Sequence, residues 1–193
     1  IAHDHIYVNV LTERCTRAKE LDGNLEQMQR EAIKLGEGSK FTIDISRHEY
    51  IEDKEPHELD GYTIYVYSPL MIVCEKLRAI CQQMPAYGQV IQRSKPGTQR
   101  ARDFVDIEVL MRTFDLDITS ESANLMLSEI FKAKHVPLSY LGEIGSDAVR
   151  EFHRLGFPAV VATMRPGVEV KDFDFYFDFV TAEVSKLKSL WHV

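Results

Sequence analysis

Three charged side chains on two helical stretches have the types and the spacing to do chemistry. Lys76 stands in SPLMIVCEKLRAICQQM, and Asp103 and Asp106 stand three residues apart in RARDFVDIEVLMRTF. An ammonium is a compact point charge suited to anionic oxygens, and a carboxylate beside it either orients it or meets the substrate itself. A further candidate, Asp44, is the single acid within the stretch KFTIDIS.

The elements that must position these groups are written around them. Ser68 is a helix N-cap and Pro69 suits the first helical position, whose missing N–H costs nothing. Leu70, Val73, Cys74, Leu77, Ile80 and Cys81 recur at three- and four-residue spacing and predict one buried stripe. At about 100° per residue, Lys76 falls on one shoulder of that stripe, Arg78 on the other, and Glu75 nearly opposite. In the second helix Phe104, Ile107, Leu110 and Met111 form the stripe. Asp103 and Asp106 share one side, and Arg102 is spaced to pair with Asp106 at i,i+4. Asp103 is expected near the edge of the core, where an acid is either hydrogen-bonded by structure or held to work. Taken singly, each charge also reads as part of a solvated helix face. The two motifs in this order are more informative than either alone.

EKLRA on a capped helix, then a loop, then RDFVDIEVL, resembles the AbiEii/AbiGii toxin family of nucleotidyltransferases within the DNA polymerase β-like superfamily. The resemblance runs from about Phe41 to Leu110 and reaches, more weakly, the C-terminal DFDFYFDFVTAEVSKL. It implies transfer of a nucleoside monophosphate from a nucleoside triphosphate to an acceptor hydroxyl, with pyrophosphate leaving. It further implies Mg²⁺ held by Asp44 together with Asp4 or an upstream acid. Lys76 would lie along the triphosphate, with Arg78 and Arg102 as further nucleotide contacts. Asp103 or Asp106 would complete the pocket, either orienting Lys76 or touching substrate. The acceptor implied is transfer RNA, and the partner implied is an antitoxin. Substitution of Lys76 by Ala is expected to abolish activity at little cost in stability, because a shoulder residue contributes modestly to packing.

Bulk properties bound these readings. With 193 residues, 45% apolar and 27% charged, the chain can bury a real core in one or two small domains. A formal net charge of −7 argues against broad electrostatic capture of nucleic acid, though not against a local basic groove. Of the three cysteines, Cys74 and Cys81 lie on an apolar helix face and read as small hydrophobes, so neither a disulfide framework nor a zinc site is indicated. No apolar run approaches membrane-spanning length, and a cytoplasmic protein without membrane contact is the expectation.

In chain order, HIYVNVL alternates like a half-buried strand soon after Ile1, and the start reads as though something precedes it. The family's Gly-Ser element does not stand before this strand, and of its paired acids only Asp4 in His3-Asp4-His5-Ile6 is matched. Residues 12–35 read as helix with a break at Asp22-Gly23, and residues 36–39 as a turn into KFTIDIS, where Asp44 alternates with Ile43 and Ile45. Residues 48–60 read as a loop or hairpin excursion, and YTIYVY as the strongest strand in the chain. Residues 84–99 read as an irregular connection made locally basic by Arg93, Lys95 and the adjoining Arg100, and the chain after Phe114 as three or four helices capped at Thr119 or Ser120 and at Ser146. Phe173, Phe175, Tyr176, Phe177 and Phe179 read as packing residues in preference to a base-stacking platform.

The expected fold is therefore α+β. A small mixed β-sheet nucleotidyltransferase core flanked by helices, N-terminally incomplete, occupies residues 1–97, and a helical bundle occupies residues 98–193. Two other readings stay open: a catalytically inactive nucleotidyltransferase-like binding module, and a helical interaction protein in which Asp44, Lys76 and Asp103 lie on unrelated surfaces.

Overall fold

The computed structural model describes residues 5–11, 15–32, 40–46 and 48–191. The chain divides into two compact units, Ile1–His48 and Glu49–Val193. The division falls far before the boundary expected near residue 97, because helices on either side of that position pack on each other. The α+β expectation holds in its coarse form: short antiparallel strand pairs accompany a majority of helix.

In the first unit, strand β1 (His5–Leu11) pairs antiparallel with β2 (Lys40–Ser46), with Tyr7 opposite Asp44. Between them run the short helices α1 (Cys15–Glu20) and α2 (Leu25–Glu31). They are broken where expected, at Asp22 and Gly23, both in the left-handed region with φ of 40° and 79°. Asn24 then caps α2 by accepting from the N–H of Gln27 at 3.2 Å. The Arg17 guanidinium ties α1 to Glu31 of α2 at 2.6 Å.

The second unit opens with a hairpin, β3 (Glu55–Leu59) and β4 (Tyr62–Val66). Its two-residue turn is Asp60-Gly61, with φ of 50° and 80°, the type I′ geometry that matches strand twist. The expectation of a single mixed sheet is corrected here. Among the described residues the strands form two separate antiparallel pairs, β1 with β2 and β3 with β4. The tight Asp-Gly turn folds YTIYV back on its own neighbour. Tyr62 and Tyr65 remain 75% and 63% exposed, so its aromatic content reflects strand propensity and not burial.

Helix α3 (Pro69–Cys81) follows directly. The Ser68 hydroxyl accepts from the N–H of Met71 at 3.2 Å and Pro69 occupies the first turn, as the sequence predicts. Pro85 then starts a short helix, α4 (Pro85–Val90), where an irregular connection was expected. The next helices are α5 (Ala101–Thr113), α6 (Glu121–Ala133), α7 (Asp147–Arg154), α8 (Phe157–Ala162) and α9 (Phe173–Ser185). Helix α3 packs against α5 and α6, and α5 packs against α9. Among the described residues no helix is long and apolar enough to cross a membrane.

This arrangement makes α3 the central helix. No residue from Val66 to Met84 is exposed, so α3 has no open solvent face, and its residues outside the apolar stripe are half-buried. Met71, Val73, Leu77 and Ile80 are at most 1% exposed, and each such side chain contributes on the order of 1.5–3 kcal/mol. The opposing wall comes from Phe104 and Ile107 of α5, Leu127, Ile130 and Phe131 of α6, and Phe177 of α9. Phe104 stacks on Phe177 at 5.5 Å, and Phe173, Tyr176 and Phe177 are buried, so these three aromatics belong to the core. Phe175, at 38% exposed, does not.

Candidate active site

Charge on a helix with no open solvent face is costly unless it is compensated, and the charged groups of α3 each have a partner. Lys76 finds two. Its Nζ donates to Oδ1 of Asp103 at 2.9 Å and to Oδ2 of Asp106 at 2.7 Å. The i,i+3 spacing of the two acids puts both on the face of α5 that meets α3, and Phe104 and Ile107 anchor that face in the core. Burial works against the Lys76 charge, but the bonds to Asp106 and Asp103 outweigh it and hold the ammonium pKa above its ordinary value. Two of its three N–H donors are accounted for in this way.

The two carboxylates are not equivalent. Asp103 has a side chain only 9% exposed and uses both oxygens, with Oδ2 accepting from Nε of Arg100 at 2.6 Å. Asp106 is 32% exposed and lines a cleft of ≈ 320 Å³ together with Arg102, Glu108 and Lys171. Asp103 and Arg102 line a second cleft of ≈ 370 Å³ with Arg100 and Thr163. The acid pair thus sits between two openings, with Asp106 the more accessible member.

Behind this cluster lies His153 of α7, 2% exposed. Its Nδ1 accepts the backbone N–H of Arg100 at 2.9 Å, and its ring sits 5.3 Å from Phe104 and 5.0 Å from Phe152. Burial pushes the imidazole pKa down to about 4, with Arg100 acting in the same direction and Asp103 against it. Neither His153 nor the bond from Arg100 to Asp103 was anticipated. The signal in the sequence was indirect: an acid at the third position of a helix whose N-cap residue is Arg.

Three of the sequence candidates, Lys76, Asp103 and Asp106, are brought together. Arg78 is not in this cluster. It donates to Oε2 of Glu75 at 2.7 Å and to Gln82, and both charged partners are largely covered. Glu75, expected to point away from the core, is held there by this pair, and burial raises its carboxyl above the ordinary value against the pull of Arg78. Arg102 does not pair with Asp106. It is exposed and donates to Oγ1 of Thr163, because Asp106 turns inward to Lys76. Asp44 lies on β2 of the first unit, with its backbone opposite Tyr7, and its side chain is outside the described residues. Asp4 lies outside them altogether.

Among the described residues, no group of three or more His, Cys, Asp or Glu side chains converges on a metal position. Lys76 already supplies the cation between Asp103 and Asp106. What the cluster can do is present a fixed ammonium, with an accessible acid beside it, to an anionic substrate.

No curated protein and no solved structure matches this chain. A family model described as nucleotidyl transferase AbiEii toxin, type IV TA system, matches residues 9–179, a span that holds Asp44, Lys76, Asp103, Asp106 and His153. The chain belongs to the AbiEii family of nucleotidyl transferase toxins of type IV toxin–antitoxin systems.

Proposed function

We propose that this protein transfers a nucleoside monophosphate from a nucleoside triphosphate to an acceptor hydroxyl, with transfer RNA as the acceptor, and that Lys76 is the residue lying along the triphosphate. The observation that carries this reading is the Lys76 ammonium fixed between Asp103 and Asp106, at the junction of the two helices that hold the EKLRA and RDFVD motifs. A displacement at phosphorus gathers negative charge on the leaving pyrophosphate, and a preorganised ammonium offsets that charge without reorganising during the reaction.

The roles divide by accessibility. Asp103, saturated by Lys76 and Arg100, orients the ammonium. Asp106, more open to solvent, is the acid that meets substrate, and exposed Arg102 borders the same opening. Arg78 is left out of the nucleotide contacts, since its guanidinium already serves Glu75 and Gln82.

Magnesium, which the resemblance implies, would be held by Asp44 together with Asp4 or an upstream acid, since Asp103 and Asp106 already share the Lys76 ammonium. When bound, the ion would draw charge off the triphosphate. An inactive binding module would keep the Lys76 cluster and lose the metal acids. Full-length protein incubated with Mg²⁺, each labelled nucleoside triphosphate and total RNA separates the two. Label should pass to RNA with wild type and fail with Lys76→Ala and with Asp44→Ala. Transfer that ignores both substitutions removes the site assignment, and no transfer from any nucleotide favours the inactive module.

A further inference from the structure

We infer that His153 is a positioning residue that frees the Asp103 carboxylate for Lys76 by taking over a bond that an acid at this helix position ordinarily makes. The inference rests on the transferase reading of the Lys76 cluster and adds to it a residue from a different helix.

Helix α5 begins at Ala101, so Arg100 is its N-cap residue and Asp103 its third position. In a capping box the acid at the third position reaches back to the backbone N–H of the N-cap residue. Asp103 stands where that bond would form, and Arg100 has no side-chain capping bond of its own. The Arg100 N–H instead donates to Nδ1 of His153, 2.9 Å away. Both Asp103 oxygens are consequently available, one to Lys76 at 2.9 Å and one to the Arg100 side chain at 2.6 Å.

The imidazole is built to stay in this role. Nδ1 must be the unprotonated nitrogen in order to accept, which leaves the proton on Nε2. The ring is held between Phe104 and Phe152 and is almost fully buried, a setting that keeps it uncharged. Removing the acceptor strands the Arg100 N–H, and the closest replacement along the chain is the Asp103 carboxylate. Asp103 would then turn toward the helix start and give up its bond to Lys76, leaving the ammonium held by Asp106 alone.

Three variants separate positioning from bulk packing. The Asn amide oxygen occupies the place of Nδ1, so His153→Asn keeps the acceptor. The Gln amide reaches the place of Nε2, so His153→Gln keeps polarity and volume but loses it. His153→Leu keeps only the volume. In protein labelled with ¹⁵N-lysine, the Lys76 Nζ protons should exchange slowly in wild type and in His153→Asn, and markedly faster in His153→Gln and His153→Leu, where only the Asp106 bond remains. In the transfer assay, kcat should fall roughly tenfold or more for Gln and Leu, with KM for the nucleotide nearly unchanged and recovery in Asn.

Lys76 Nζ exchange that stays at the wild-type rate in the Gln and Leu variants overturns the inference, and so does equal acceleration in all three. Wild-type protein that transfers no label defeats the transferase reading, while the Nζ signal still decides the positioning claim.

Discussion

The Lys76 ammonium lies 2.9 Å from Asp103 although the two residues are 27 positions apart in the chain. That contact closes the joint between α3 and α5, so the group assigned to substrate also helps hold the second unit together. Lys76 is therefore not a shoulder residue of small structural value. Replacing it by Met, which keeps the stem, leaves Asp103 with Arg100 alone and Asp106 without its Lys76 bond. A loss of about 1–3 kcal/mol is expected in urea unfolding. An unchanged midpoint would mean that the two bonds are solvent-exchanged and energetically neutral.

His153 makes the native state sensitive to mild acid. Its pKa is about 4 in the fold against an ordinary 6.5, so both states are neutral above 6.5. Between 6.5 and about 4 the unfolded chain takes up a proton that the native imidazole refuses, and stability falls with falling pH until both states are charged. His153→Asn has no such group and should show a flatter curve through this window. Parallel curves for wild type and variant would show that the imidazole is not buried in solution.

A second pH window belongs to α9. The Asp174 carboxylate accepts from Arg154 at 2.6 and 2.7 Å and from Arg150 at 2.6 Å, and these bonds, Arg154 first, hold its pKa down to about 2 from 3.8. A lowered acid pKa stabilises the fold fully above 3.8 and loses that contribution as pH falls through about 2. The groups are partly solvated, so the effect should stay within about 1 kcal/mol. The difference in melting temperature between wild type and Asp174→Asn should be constant at neutral pH and vanish near the acid end. The Arg150 guanidinium lies 4.3 Å from the Phe177 ring centre and that of Arg154 5.8 Å from the Phe173 ring centre, and a constant difference throughout would assign the effect to this packing.

The cysteines of α3 should be silent. Cys74 is 1% exposed, and burial pushes its thiol up to about 12, while Cys81 is fully covered and raised as well. Thiolate is the reactive form, so native protein should resist alkylation at both positions for as long as it stays folded. Rapid modification at neutral pH would show that α3 opens locally.

What the sequence made legible was local. The Ser68 cap, the Asp22-Gly23 break, the caps at Ser120 and Ser146 and the apolar stripes of α3 and α5 all depend on residues within a few positions of each other. What escaped depends on partners brought in by tertiary packing. A face analysis assumes that a helix is buried on one side, and no face of α3 is fully exposed, so Glu75, which the periodicity points away from the stripe, is instead held in a largely covered pair with Arg78 on its shoulder. The Arg102–Asp106 pair failed for the same reason, since Lys76 from another helix outcompetes a neighbour on the same one. Strand pairing was misjudged because the hairpin turn, not apolar content, decides which strand YTIYV meets. His153 carried no local pattern at all; only the meeting of α7 with the start of α5 reveals it.

The inequality between Asp103 and Asp106 yields the sharpest test of their roles. Asp103 is the more deeply buried and serves both Lys76 and Arg100, so Asp103→Asn should destabilise the protein by about 2 kcal/mol as well as remove transfer. Asp106 is partly open, bonds Lys76 from one oxygen and faces a cleft, so Asp106→Asn should cost less than about 1 kcal/mol while removing transfer as completely. Urea unfolding and the label-transfer assay on the same preparations give both quantities. If the order of the stability losses is reversed, Asp106 is the orienting acid and Asp103 the substrate contact. If Asp106→Asn transfers label at the wild-type rate, the accessible acid plays no part in the chemistry, and the pocket must be sought on the other side of Lys76.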